Sequence, residues 1–145
     1  MKCLITGATG FVGQNLSQFL YEKKHEVIAL VRDLHENIYP SVRYQTHTVF
    51  GDIRDYKRIR EILLDYKPDA IIHLAAQALV GQAQRDPYST WDVNVNGTIS
   101  LLSAWAETGY GRFLYFSSDK VYGDGLGKKE TDSMLAAVTF HTASP

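Results

Sequence analysis

The chain has 145 residues, 45% hydrophobic and 21% charged, which fits one compact domain of ordinary composition and leaves no room for a second full one. At this length about 68–70% of the unfolded surface can be buried, so a core forms without disulfides or a structural metal. Fifteen basic and sixteen acidic side chains give a net charge of −1 with no block of like charge, which argues against a nucleic-acid or membrane surface as partner.

Lys2 to Thr6 reads as a first strand, and its Cys3, the only cysteine, sits in an apolar run as a core residue. Three apolar residues before Thr6-Gly7 are too few for a signal-peptide core, and no uncharged stretch is long and apolar enough to span a bilayer, so the expectation is a cytoplasmic protein. Phe11 to Lys24 reads as a helix with Val12, Leu16, Phe19 and Leu20 on one face. Glu26 to Val31 is a second strand and Thr46 to Phe50 a weaker third. A helix follows from about Asp55 to Tyr66, with Ile59, Ile62, Leu63 and Tyr66 on its buried face. Pro68-Asp69 marks the stop before a fourth strand, Ala70 to Leu74. Asp86-Pro87 opens a helix that is expected to run to Thr108 and stop at Gly109, with Trp91, Val95, Ile99, Leu102 and Ala106 as its apolar stripe. Arg112 to Ser117 is the fifth strand. Beyond Gly123 the pattern dissolves into a glycine-rich loop and a tail with one faint apolar run, Leu135 to Val138. Strands alternating with helices predict an α/β fold, a Rossmann-like doubly wound parallel sheet.

The strongest chemical feature is Gly7-Ala8-Thr9-Gly10-Phe11-Val12-Gly13, between the first strand and the first helix. Glycines there allow a tight turn and close backbone approach, while the helix N-terminus offers amide donors to a pyrophosphate. The plain alternative is a glycine-rich turn without a ligand; the position after a buried strand and before an amphipathic helix favours a dinucleotide.

The Gly-x-x-Gly-x-x-Gly form resembles the extended short-chain dehydrogenase/reductases, the NAD(P)-dependent epimerase/dehydratase family that acts on nucleotide sugars. TGATGFVG at 6–13, GDIRD at 51–55, HLAAQ at 73–77, NVNGT at 94–98 and FSSDKVYG at 116–123 follow in the family's order. The resemblance implies strand order 3-2-1-4-5 and a partial NAD(P)-binding domain over 1–123, followed by a loop and divergent tail over 124–145. It implies cofactor contacts from Gly7, Thr9, Gly10, Phe11, Val12 and Gly13, an adenine-contacting pair Asp52-Ile53, and a small-residue segment Leu74-Ala75-Ala76 beneath the cofactor. At the end of the second strand Asp33 formally suits NAD, whereas Arg32 matches a residue of NADP-using relatives. The expectation is NADP, with NAD as the alternative. No metal is expected.

Counting back from Tyr122, Ser118 occupies the place of the family's active-site Ser/Thr. Asp119 and Lys120 resemble the proton donor and acceptor of nucleotide-sugar 4,6-dehydratases of the CDP-glucose or GDP-mannose type, with Gln77 near the sugar. The implied chemistry is oxidation at C4 by hydride transfer, loss of water across C5 and C6, and return of the hydride to C6. Asp119 would protonate the departing hydroxyl and Lys120 would assist proton removal at C5. An exposed turn pair is the plain reading of those two residues. Asn94 matches the family's helix-kinking asparagine. A nucleotide-sugar epimerase or reductase, and a non-catalytic dinucleotide-binding or interaction module, are the alternatives.

The family's base is a tyrosine followed four residues later by a lysine, and none of the nine tyrosines here has that partner. The expectation is therefore a truncated or separately made N-terminal part, binding NADP weakly and not turning over alone. An uncovered fifth strand and helix face would favour a homo-oligomer, with the nucleotide-sugar substrate bound once the site is completed.

Overall fold

In the computed structural model, residues 1–33, 44 and 47–118 are described. The chain divides into two units, Met1–Tyr115 and Phe116–Pro145, and the fold below is that of the first. Its strands are β1 (Lys2–Thr6), β2 (Glu26–Val31), β3 (His47–Phe50), β4 (Ala70–His73) and β5 (Arg112–Tyr115). All neighbours pair in parallel, in the expected order β3-β2-β1-β4-β5. Leu4 lies level with Ile28 on one side and Ile71 on the other, so the middle of the sheet is a continuous band of aliphatic side chains.

Parallel strands buried on both faces need near-continuous apolar runs, and residues 3–5 of β1 and 27–31 of β2 supply them. Successive side chains point to opposite faces. Leu4, Ile28, Leu30 and Ile71 therefore join one core with Ile59, Ile62 and Leu63 of α2 (Tyr56–Tyr66) and with Leu101 and Ala104 of α5 (Gly97–Thr108). Ile5, Val27, Ala29 and Val31 face the other way, against Leu16 and Leu20 of α1 (Phe11–Glu22). Cys3 is buried as expected, and burial pushes its thiol above the ordinary range.

Helix α2 starts where Asp55 accepts from the Arg58 amide at 3.0 Å and ends at Lys67, whose φ is +45°. Two expectations about helix faces need correction. On α1 the buried residues are Gly13 and Ser17, flanked by partly buried Leu16 and Leu20, while Val12 and Phe19 are half exposed. The helix meets the loop below it too closely for large side chains on its inner row. On α5 the buried row is Gly97, Leu101 and Ala104; Ile99 and Leu102 of the expected stripe face outward. That stripe reported an apolar surface, and it was the smaller row beside it that the sheet required.

The long helix expected from Pro87 is three pieces. Asp86 caps α4 (Pro87–Trp91) through the Ser89 amide at 3.0 Å, a π-turn spans Asp92–Asn96, and α5 then ends at Gly109. A short helix not foreseen, α3 (Val80–Arg85), precedes them. The fourth and fifth strands stop at His73 and Tyr115, short of the expected Leu74 and Ser117. Leu101 is fully buried between α2 and the sheet, so Leu101→Ala is expected to cost about 2–5 kcal/mol by cavity formation, read as a lowered urea midpoint at an unchanged m-value.

Candidate dinucleotide site

Thr6, the last residue of β1, is fully buried, and its hydroxyl oxygen accepts from the amides of Leu74 and Ala75 at 3.2 and 3.1 Å. This ties the turn after β1 to the turn after β4. Gly7 follows with φ +69°, and a Cβ there would lie 2.8 Å from the backbone nitrogen of Ala75. Gly7 carbonyl accepts from the Gly10 amide at 3.0 Å, closing the turn. A Cβ on Gly13 would fall 2.2 Å from that same carbonyl oxygen, so α1 is seated directly on the loop. Gly10 caps α1 without a side-chain acceptor, which leaves the first-turn amides to an external anion.

These turns bound a cleft of about 550 Å³ at the carboxyl ends of the strands. Gly7, Thr9 and Gly10 line it from the glycine loop, Arg32 from the end of β2, Asp52 and Ile53 from beyond β3, and Leu74, Ala75 and Ala76 from beyond β4. Nine of the expected residues are thus brought together. Phe11, Val12 and Gly13 do not line the cleft: Phe11 is exposed, and Gly13 shapes the loop from behind. Gln14, Leu30, Gly51 and Val93 were not anticipated, and Asp33 joins Arg32 on the lining. The Arg32 guanidinium donates through Nε to Asp33 at 2.8 Å, an exposed pair at the mouth.

Gln77 is absent from the lining but firmly held. Its amide donates to the Asn94 side-chain oxygen at 2.7 Å, and the Asn94 side-chain nitrogen returns a bond to the Gln77 carbonyl at 3.1 Å. Asn94 lies in the π-turn, where the helix widens and the Thr98 hydroxyl donates to the Asn94 carbonyl at 2.7 Å. Ser118 is exposed and belongs to the second unit; Asp119 and Lys120 lie outside the described residues. Among the described residues no cluster of His, Cys, Asp or Glu could hold a metal, and no helix is long and apolar enough to cross a membrane.

Behind the cleft, His73 is buried between two hydroxyls, with Nδ1 2.7 Å from Thr6 Oγ1 and Nε2 3.0 Å from Thr98 Oγ1. Thr98 spends its proton on Asn94, so it accepts from Nε2–H, and Nδ1 accepts from Thr6. Both lone pairs of the Thr6 oxygen are already directed at backbone amides, which leaves no acceptor for a second imidazole proton. Burial and this saturation agree: desolvation lowers the His73 pKa to about 4.

The fold and the glycine-built cleft define a parallel α/β protein of the dinucleotide-binding class. The model of the NAD dependent epimerase/dehydratase family matches residues 3–145, and the chain belongs to that family. It is 35% identical over 130 residues to a UDP-glucose 4-epimerase of Klebsiella pneumoniae, covering 86% of this chain and 94% of that one. It spans only 36–38% of seven further curated relatives it matches. Among solved structures, a UDP-glucose 4-epimerase from Stenotrophomonas maltophila with bound NAD and formylated UDP-arabinopyranose superposes with a TM-score of 0.79 at 30% identity, over 94% of this chain and 43% of that one. One from Brucella ovis in complex with NAD gives 0.80 at 31%, over 92% and 41%. The 4,6-dehydratases singled out by the Asp119-Lys120 resemblance are not among these relatives, which are epimerases.

Because folded His73 is neutral down to about pH 4 while an unfolded histidine protonates near 6.5, the unfolded chain takes up the proton first. Its contribution is complete above pH 6.5 and is lost as the pH falls toward 4. Urea midpoints are expected to drop between pH 7 and pH 5, and a His73→Leu variant to lose most of that slope whatever its own stability.

Proposed function

We propose that this chain provides the dinucleotide site of a nucleotide-sugar 4-epimerase and that its preferred cofactor is NAD. The observation that carries the reading is the cleft itself: a glycine turn with no space for a Cβ, uncapped helix amides, and two acidic side chains at its far end. The residues present fit such a cofactor. The α1 amides and the Gly7–Gly10 turn would take the pyrophosphate, Asp52 and Ile53 the base, and the flat Ala75-Ala76 segment would pass beneath the nicotinamide end. When bound, the nicotinamide supplies reversible hydride acceptance from the C4 hydroxyl carbon of a sugar.

The preference for NAD follows from charge. Among the cleft-lining residues Arg32 contributes +1 and Asp33 and Asp52 −1 each, and Arg32 is already paired with Asp33. A 2′-phosphate would meet a guanidinium paired through Nε and an adjacent carboxylate, whereas a 2′-hydroxyl finds an acceptor. The UDP-glucose 4-epimerases solved with NAD support the same choice and the epimerase chemistry.

The sequence Ser118-Asp119-Lys120 favours a second reading, a nucleotide-sugar 4,6-dehydratase with Ser118 on the oxidised position, Asp119 as acid and Lys120 as base. That reading yields a 4-keto-6-deoxy product that has lost one water, while epimerisation inverts C4 and leaves the formula of the sugar unchanged. Product chromatography separates them.

Calorimetric titration of the purified chain tests the site. NAD is expected to bind about tenfold more tightly than NADP, and Asp33→Asn to narrow that gap; binding of neither dinucleotide overturns the reading, and tighter NADP overturns the cofactor choice. Gly7→Val is expected to abolish binding, since its Cβ would strike the Ala75 backbone at a positive φ.

A further inference from the structure

The residues that follow β4 form a wall of the cleft yet belong to no helix or strand. Leu74, Ala75 and Ala76 line the opening, and Gln77 continues the same stretch. Side chains of other elements hold its backbone at both ends. At the start Thr6 Oγ1 accepts from the Leu74 and Ala75 amides; at the end the Asn94 side chain accepts from the Gln77 amide and donates to the Gln77 carbonyl. Those two holds share one neighbour. His73 is 1% exposed, with Nδ1 2.7 Å from Thr6 Oγ1 and Nε2 3.0 Å from Thr98 Oγ1, and Thr98 in turn donates to the Asn94 carbonyl at 2.7 Å. The rings of Phe113 and Tyr115 flank the imidazole at centroid distances of 6.2 and 5.5 Å.

We propose that His73 is a positioning residue of the cleft, whose single imidazole acts through Thr6 and Thr98 to fix both ends of the 74–77 stretch and so the wall that a dinucleotide meets. The inference rests on the dinucleotide reading above for its ligand and on hydrogen-bond valence for its mechanism. The hydrogens run one way, from the Thr6 hydroxyl to Nδ1, from Nε2–H to Thr98, and from the Thr98 hydroxyl to the Asn94 carbonyl. Each link decides the next. Because Thr6 gives its proton to Nδ1, both its lone pairs are left for the Leu74 and Ala75 amides. Because Thr98 accepts from Nε2–H, its own proton goes to Asn94, in the π-turn where the Gly97 amide reaches back five residues to the Asp92 carbonyl. With the Asn94 backbone held there, its side chain meets both the amide and the carbonyl of Gln77. Burial keeps the ring neutral, which preserves one donor and one acceptor on it. Aligned hydrogen bonds in a buried setting strengthen one another, and a member left without its partner is costly. A wall fixed before the ligand arrives also loses less on binding than one that must first be ordered.

Amide exchange followed by NMR on the isotopically labelled full chain, without ligand, tests the coupling, with the β1 and β2 amides as the reference for global opening. Thr98→Val keeps the shape of the side chain and removes the hydroxyl. It is expected to speed exchange at Gln77 by about tenfold or more relative to the reference, while Thr98→Ser stays within about threefold of the unsubstituted protein. His73→Phe is expected to speed Ala75 and Gln77 together, and the threonine pair decides alone if that variant fails to fold. A purely structural role would speed all amides in proportion, so an unchanged ratio in Thr98→Val overturns the proposal, as does a serine variant as fast as the valine one. Imidazole nitrogen shifts give a check on the unsubstituted protein: a protonated Nε2 and a bare Nδ1 are expected, and the reverse tautomer overturns the chain of bonds. In calorimetry Thr98→Val is expected to weaken NAD by about tenfold and Thr98→Ser by less than about threefold, and an unchanged affinity in Thr98→Val overturns the role in the cleft. If the unsubstituted chain binds no NAD, the dinucleotide reading falls, and the exchange ratio still decides whether His73 positions the stretch.

Discussion

The architecture depends on a place where two backbones meet with nothing between them. At Gly7 the turn after β1 lies against Leu74 and Ala75, and at Gly13 the first helix lies against Gly7; neither contact has room for a methyl group. Thr6 secures the same junction from inside, its hydroxyl oxygen accepting from the Leu74 and Ala75 amides. With that approach fixed, α1 is brought close to the sheet, and the buried core on its side is the small and β-branched set Ile5, Ala8, Val27, Ala29 and Val31, with Leu16, Leu20 and Leu74 partly buried against it. The opposite face has no such restriction and carries the larger aliphatic side chains. The close contact at the glycine turn thus goes with small and β-branched residues on one face of the core.

The elements, their order and the glycine loop could be read from the sequence because each depends on local pattern. Strand hydrophobicity, the Asp86-Pro87 start and the Gly109 stop are such signals. Periodicity could not say which of two adjacent rows on α1 and α5 would be buried, since that depends on what the helix lies against. Ile99 and Leu102 carried the apolar pattern, but Gly97 and Ala104 allow the close approach to Ile53 and the sheet. The π-turn left no mark in the hydrophobic pattern because its partners, Gln77 and Arg54, are distant in sequence.

The same distinction holds in the site. Residues belonging to a contiguous motif, such as Gly7, Asp52 or Ala75, were legible, and so was the Arg32-Asp33 pair as a decision point. Arg54 lies inside the GDIRD segment beside Asp52, but its tie to the π-turn runs through Asp92, 38 residues away, and carries no local signal. His73 likewise depends on distant partners. A histidine at a strand end has no sequence signature for neutrality; that comes from hydroxyls on β1 and α5 and from burial.

Three consecutive residues of the π-turn show why the widening is placed where it is. Asp92 holds Arg54 in the turn after β3, Val93 lines the cleft, and Asn94 holds Gln77 beyond β4. In a regular α-helix successive side chains are about 100° apart, so three in a row would fan over roughly 200° and the outer two would face away from each other. One wider turn reduces that fan: Val93 faces the cleft, and Asp92 and Asn94 tie the turns on either side of it. The two sides of the cleft, the turn after β3 and the turn after β4, are then referenced to a single segment of backbone. A displacement of that segment must alter both together, which makes the spacing between them a property of the helix and not of either turn.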